Sequence, residues 1–193
     1  NGGAPSGTSA MMVPVNTKVT VDELIQGIVI QSGNDAAMCV AEGMAGSIPA
    51  FARMMNDEAK RIGLTKSTFT NASGLPDPQQ LMSARDLAVL ARYIIDEYPD
   101  YYPVFAQKEF LYRKHRFINR NPLLFQNIGA DGLKTGFTNE AGYNLAGSAV
   151  QNGLRLIVVV AGAKTAHERA EEARKLLNWG FSGFESRPLF ASG

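Results

Sequence analysis

The run Tyr143-Asn-Leu-Ala-Gly-Ser-Ala-Val-Gln-Asn-Gly-Leu-Arg-Leu-Ile-Val-Val-Val-Ala-Gly-Ala163 decides the fold of this chain. Two β-prone stretches meet at Asn152-Gly153, and Asn-Gly suits a two-residue hairpin turn because both residues tolerate positive φ. The stretches therefore pair antiparallel. Leu154 to Ala163, rich in Val and Ile, reads as a central strand, and residues 131–138 and 143–150 predict two more. Further upstream, Glu109-Phe-Leu-Tyr112 and His115-Arg-Phe-Ile118 read as a pair of short strands. Downstream, the spacing predicts a helix from Ala166 to Trp179 with Ala170, Ala173, Leu176 and Leu177 on its buried face.

Before Pro103 the chain follows the helical period instead. Thr20 and Glu23 make a capping box ahead of Leu24, Ile25 and Ile28. That helix stops at Ser32-Gly33-Asn34. A second begins near Asp35 and runs through Ala37, Val40, Ala41 and Met44. A third, from about Pro49 to Ile62, places Phe51, Met54, Met55 and Ala59 on one face and closes at Gly63. Ser67 to Pro78 is rich in turn residues, and Ser83 caps a helix from Ala84 to Glu97. Asn1 to Ser9, with its Gly, Ser and Pro, reads as a loop. A helical block followed by an antiparallel sheet closed by a C-terminal helix is the α+β class. The helical subdomain is expected over residues 20–100, and the sheet with its last helix over residues 105–181.

The 193 residues are enough for one domain with a real core. The formal net charge is +1 and no basic block occurs, which argues against a nucleic-acid partner. No apolar run approaches membrane-spanning length. Cys39 is the only cysteine, so an internal disulfide and a thiolate metal cluster are excluded. His115 and His167 are too far apart in sequence to suggest a metal site, and no metal or organic cofactor is expected.

Two polar clusters carry the chemistry. Lys134-Thr135-Gly136 sets an ammonium, a directional hydroxyl and a residue that admits close backbone approach side by side, a compact anion site. Ser32-Gly33-Asn34 is a second cluster at a break between two helical patterns. Each has an ordinary reading: Ser32 or Asn34 caps the next helix, and Lys134 sits on a solvated strand edge. Facing each other across a cleft, the two would converge donors on an acyl compound that ends in a carboxylate.

The chain resembles the serine D-alanyl-D-alanine carboxypeptidases, the low-molecular-mass penicillin-binding proteins. The resemblance rests on Leu24-Ile-Gln-Gly-Ile-Val-Ile-Gln-Ser-Gly-Asn-Asp-Ala36, Ser83-Ala-Arg-Asp86, Asn119-Arg-Asn121, Asp131-Gly-Leu-Lys-Thr-Gly136 and Ala141-Gly-Tyr-Asn-Leu145. It implies a penicillin-binding/β-lactamase-like fold, an antiparallel sheet flanked by helices with a helical subdomain across a cleft. It also implies that a serine attacks the penultimate D-alanine carbonyl of the peptidoglycan stem peptide. Terminal D-alanine then leaves, water hydrolyses the acyl-enzyme, and β-lactams acylate the same serine. By that resemblance Ser32 relays a proton to the leaving amine and Asn34 orients the substrate amide. Lys134 sets the local field, and Thr135, followed by Gly136, holds the terminal carboxylate. The backbone N–H of Phe137, where some relatives have histidine, forms half of the oxyanion hole. Arg169 resembles an arginine that helps bind the carboxylate, and reads equally well as an exposed helix arginine. Arg120 reads as a structural bridge in the cleft wall.

One part of the family pattern is absent. No serine in the chain has a lysine three residues after it, and the family's Ser-x-x-Lys segment, the source of nucleophile and general base, is expected ahead of Asn1. Residues 1–184 are then expected to form a partial catalytic domain, inactive alone and partnered by that segment as a second polypeptide. Residues 185–193 are expected to begin a linker to a further domain. The alternatives are a peptidoglycan-binding fragment without catalysis and a β-lactamase of the same fold. The resemblance places the protein in the periplasm, associated with the inner membrane at full length.

Overall fold

The structure, a computed structural model, describes residues 7–185, 187 and 189. The loop expected at the start and the linker expected at the end lie largely outside these residues. Helix α1 (Val21–Gln31) begins at the expected capping box: Glu23 donates its N–H to the Thr20 hydroxyl at 3.2 Å, and its carboxylate accepts the Thr20 N–H at 2.9 Å. Helix α2 (Asn34–Ala45) follows after two residues. Neither Ser32 nor Asn34 caps it; the N-cap is Gly33, which has no side chain to offer. Helix α3 (Ile48–Ile62) starts just before Pro49, because Ser47 accepts the Ala50 N–H and proline fits the first turn of a helix. Helix α4 (Ala84–Glu97) is capped by Ser83, whose hydroxyl accepts the Asp86 N–H.

The second half is built on strands β1 (Glu109–Tyr112), β2 (His115–Ile118), β3 (Ala130–Thr138), β4 (Gly142–Gln151) and β5 (Leu154–Ala163), closed by helix α5 (Ala166–Ser182). β3, β4 and β5 form one antiparallel sheet in that order. Two expectations need correction. β4, not β5, is the middle strand among the described residues. The β1–β2 hairpin does not join this sheet; it is a separate two-stranded sheet that buries Phe110, Tyr112 and Phe117 with Leu24 and Ile30 of α1.

The sheet lies between helices. On one side, Ala173 and Leu177 of α5 pack with Leu145 and Ala149 of β4 and with Val158 and Val160 of β5. Ile157, which alternation turns to the opposite face, packs with Ala91, Ile94 and Ile95 of α4. The segment before α1 is tied to the helical block by Asp35. This buried carboxylate accepts the backbone N–H groups of Met11 and Val13 at 2.9 and 3.0 Å. That tie fixes the position of Ser9, two residues upstream of Met11.

Candidate active site

The α1–α2 break is a shaped turn. Ser32 ends α1 in the left-handed conformation, with φ of 59°, and the Gly33 N–H reaches back to the Gly27 carbonyl at 3.0 Å. A left-handed serine costs about 1–2 kcal/mol relative to glycine, a type of strain that concentrates at functional sites. Asn34 is held from outside the helix. Its backbone N–H and its side-chain Nδ2 both donate to the Ser9 carbonyl, at 2.9 and 3.0 Å.

The opposite wall is β3, and its position is set by an ion pair behind it. Arg155 of β5 donates two hydrogen bonds to Asp131, each 2.9 Å long, and the Tyr102 hydroxyl donates a third at 2.9 Å. Burial, with the Asp131 charge beside it, raises the Tyr102 phenol pKa, so the ring keeps its proton and remains a donor. Gly132 lies against the same tyrosine; a Cβ there would collide with the Tyr102 hydroxyl. Three residues beyond Asp131, Lys134 extends into the cleft and donates to the Thr135 carbonyl at 2.8 Å.

Ser32, Asn34, Lys134, Thr135, Gly136, Phe137 and Arg169 all line one cleft of about 950 Å³. Arg120 lines it too, and among the described residues no Asp or Glu does. Burial, reinforced by the charges of Arg120 and Arg169, pushes the Lys134 ammonium down to about 8. The cleft therefore holds three cationic side chains with no carboxylate to neutralise them, a field that favours an anionic ligand. Arg169 is half-buried rather than a free helix arginine. Its guanidinium lies 5.4 Å from the Tyr143 ring centroid, and its buried Nε–H has no hydrogen-bond acceptor among the described residues. Phe137 is 53% exposed at the mouth, its ring 4.4 Å from that of Tyr143.

Two contributors, Ser9 and Tyr143, escaped the sequence reading. Ser9 holds Asn34 through its carbonyl and accepts the Arg120 guanidinium through its hydroxyl at 2.6 Å, joining both walls. Arg120 does bridge the wall, as expected, and also adds charge to the cleft. Tyr143 supports Arg169 and Phe137 together. No local motif marks Ser9 or Tyr143; the Ala141-Gly-Tyr-Asn-Leu145 phrase was the only signal for the latter.

A cleft walled by a Ser-x-Asn turn and a Lys-Thr-Gly strand, beneath a sheet packed between helices, is that of a penicillin-binding-protein fold. The family model for D-alanyl-D-alanine carboxypeptidases of peptidase class S11 matches residues 2–165, and the chain belongs to that family. D-alanyl-D-alanine carboxypeptidase DacC of Escherichia coli is 46% identical over 181 residues, covering 93% of this chain and 45% of that protein. The crystal structure of penicillin-binding protein 5 from Haemophilus influenzae superposes with a TM-score of 0.89 at 42% identity, over 92% of this chain and 52% of that one. Penicillin-binding protein D2 of Listeria monocytogenes in its ampicillin-bound form gives a TM-score of 0.83 at 31% identity, over 91% of this chain and 74% of that one. The chain spans about half the length of the curated relatives it matches, 45–48% of the first two.

Proposed function

We propose that the cleft binds the acyl-D-Ala-D-Ala end of a peptidoglycan stem peptide and serves its serine-type hydrolysis to release terminal D-alanine. The observation that carries this reading is the cluster of Lys134, Arg120 and Arg169 in a cleft that Ser32 also lines, with no carboxylate among its described lining residues. Thr135, Gly136 and Arg169 receive the terminal carboxylate, with Lys134 supplying charge. Asn34, fixed by Ser9, orients the penultimate amide, and the Phe137 N–H faces the carbonyl oxygen on which negative charge develops. Ser32 passes a proton to the departing amine.

The attacking group is a serine of a Ser-x-x-Lys segment, which no residue of this chain supplies. In this reading Ser32 is a relay and not the nucleophile. β-Lactams enter the same cleft as carboxylate-bearing acyl compounds, and the stem-peptide substrate assigns the reaction to the periplasm. Among the described residues no helix is long and apolar enough to cross a membrane.

Intact-mass and peptide mapping after incubation with benzylpenicillin test the assignment in the natural protein that carries this sequence. A single adduct on a serine followed three residues later by lysine is expected. An adduct on Ser32 would overturn the assignment of roles.

A further inference from the structure

We infer that the β1–β2 hairpin is an exosite for polymeric, carboxylate-bearing peptidoglycan, outside the cleft and continuous with it. The inference rests on the reading of the cleft given above. Its starting point is the turn Arg113-Lys114, which joins Tyr112 to His115. Both residues have positive φ, 45° and 69°, the signature of the type I′ turn, where Asn-Gly is the least strained choice. Two long cationic side chains occupy these positions instead. The turn's backbone gives no reason for either; Arg113 packs on its own strand, its Nε–H donating to the Tyr112 hydroxyl at 3.3 Å, and backbone strain retained against a cheaper alternative points to a use for the charges.

The tip is exposed on a rigid base. Phe110, Tyr112 and Phe117 are buried, with Phe110 stacked on both of the others at 6.0 and 6.3 Å between ring centroids. Arg113 lies over the Tyr112 ring at 5.8 Å. The outward face carries Leu111, 70% exposed, and the hairpin's single acidic residue, Glu109, is paired with Arg116. Arg113 and Lys114 are therefore a net positive end without an acidic neighbour on the hairpin. At the hairpin's base the chain passes through Asn119, whose N–H donates to the Lys108 carbonyl, directly to Arg120 in the cleft. At a strand rise of about 3.3 Å per residue, the tip stands roughly 20 Å from Arg120. That span suits one ligand that reaches both, a strand whose free carboxylates recur along its length.

The turn itself supplies the test. The double substitution Arg113→Asn, Lys114→Gly should relieve the strain and raise Tm by about 2–4 °C, so loss of function cannot be ascribed to misfolding. Co-sedimentation with insoluble peptidoglycan should fall about five-fold or more in this variant, while affinity for a short acyl-D-Ala-D-Ala peptide stays unchanged. Amidation of the polymer's carboxylates should weaken the parent protein's retention and leave the variant's unchanged. Equal retention of parent and variant on untreated polymer would overturn the exosite. So would hairpin-dependent binding to phosphatidylglycerol vesicles without binding to the polymer, which would make the hairpin a membrane contact. Hairpin-dependent retention on the polymer by a protein that ignores the short peptide would support the exosite and defeat the carboxypeptidase reading alone.

Discussion

Lys134 shows how the site departs from what stability alone would select. A lysine whose ammonium is pushed down to about 8 from an ordinary 10.5 destabilises the fold wherever it is charged in both states. Below pH 8 the penalty is constant. Between pH 8 and 10.5 the folded protein releases the proton first, so stability rises with pH across that window. Lys134→Met should therefore stabilise the protein at pH 7 by about 1–2 kcal/mol and erase the rise, as urea unfolding at pH 7, 9 and 10.5 would measure. A variant less stable than the parent at pH 7 would mean that the lysine is compensated. Such a residue was legible as an anion site in the sequence because lysine, threonine and glycine are adjacent. Ser9 was not, because its partner Arg120 lies 111 residues away and a lone serine in a Gly-Ser-Pro segment has no signature.

Elements follow the same division between local and distant causes. The capping box of α1, the Ser83 cap of α4 and the Asn152-Gly153 hairpin are fixed by neighbours in sequence, and each occurs as its residues dictate. Strand order is set at long range. β5 looked central because its Val and Ile run is covered by α5 on one face and α4 on the other, and burial on both faces leaves the same composition as a middle position. The β1–β2 pair looked like part of the main sheet because alternation says that a strand has a buried face, not what covers it. The tie between Asp35 and the Met11–Val13 backbone is the element-scale contact on which Ser9 depends. Asp35→Ala leaves three backbone donors, those of Met11, Val13 and Ala36, without this acceptor and should cost about 2–4 kcal/mol in urea unfolding. It should also weaken ligand binding in the cleft through Asn34. Unchanged affinity in that variant would detach Ser9 from the site.

At the scale of the whole molecule, two blocks with different secondary structure meet so that a helix break faces a sheet strand. The Asp131–Arg155–Tyr102 network holds the strand from behind, and Ser9 with Arg120 joins the two walls. The result is a cationic cleft with hydroxyl and amide donors at its edge, on a scaffold shared with the D-alanyl-D-alanine carboxypeptidases. In the reading proposed above, it holds the free carboxylate at the end of the peptide. The most direct measurement is calorimetric titration with an acyl-D-Ala-D-Ala peptide and with its C-terminal amide, at pH 7 and pH 9. The acid should bind at least about ten-fold more tightly at pH 7, a difference of about 1.4 kcal/mol. That advantage should shrink at pH 9, where Lys134 is largely neutral. An amide bound as tightly as the acid at pH 7 would contradict the account.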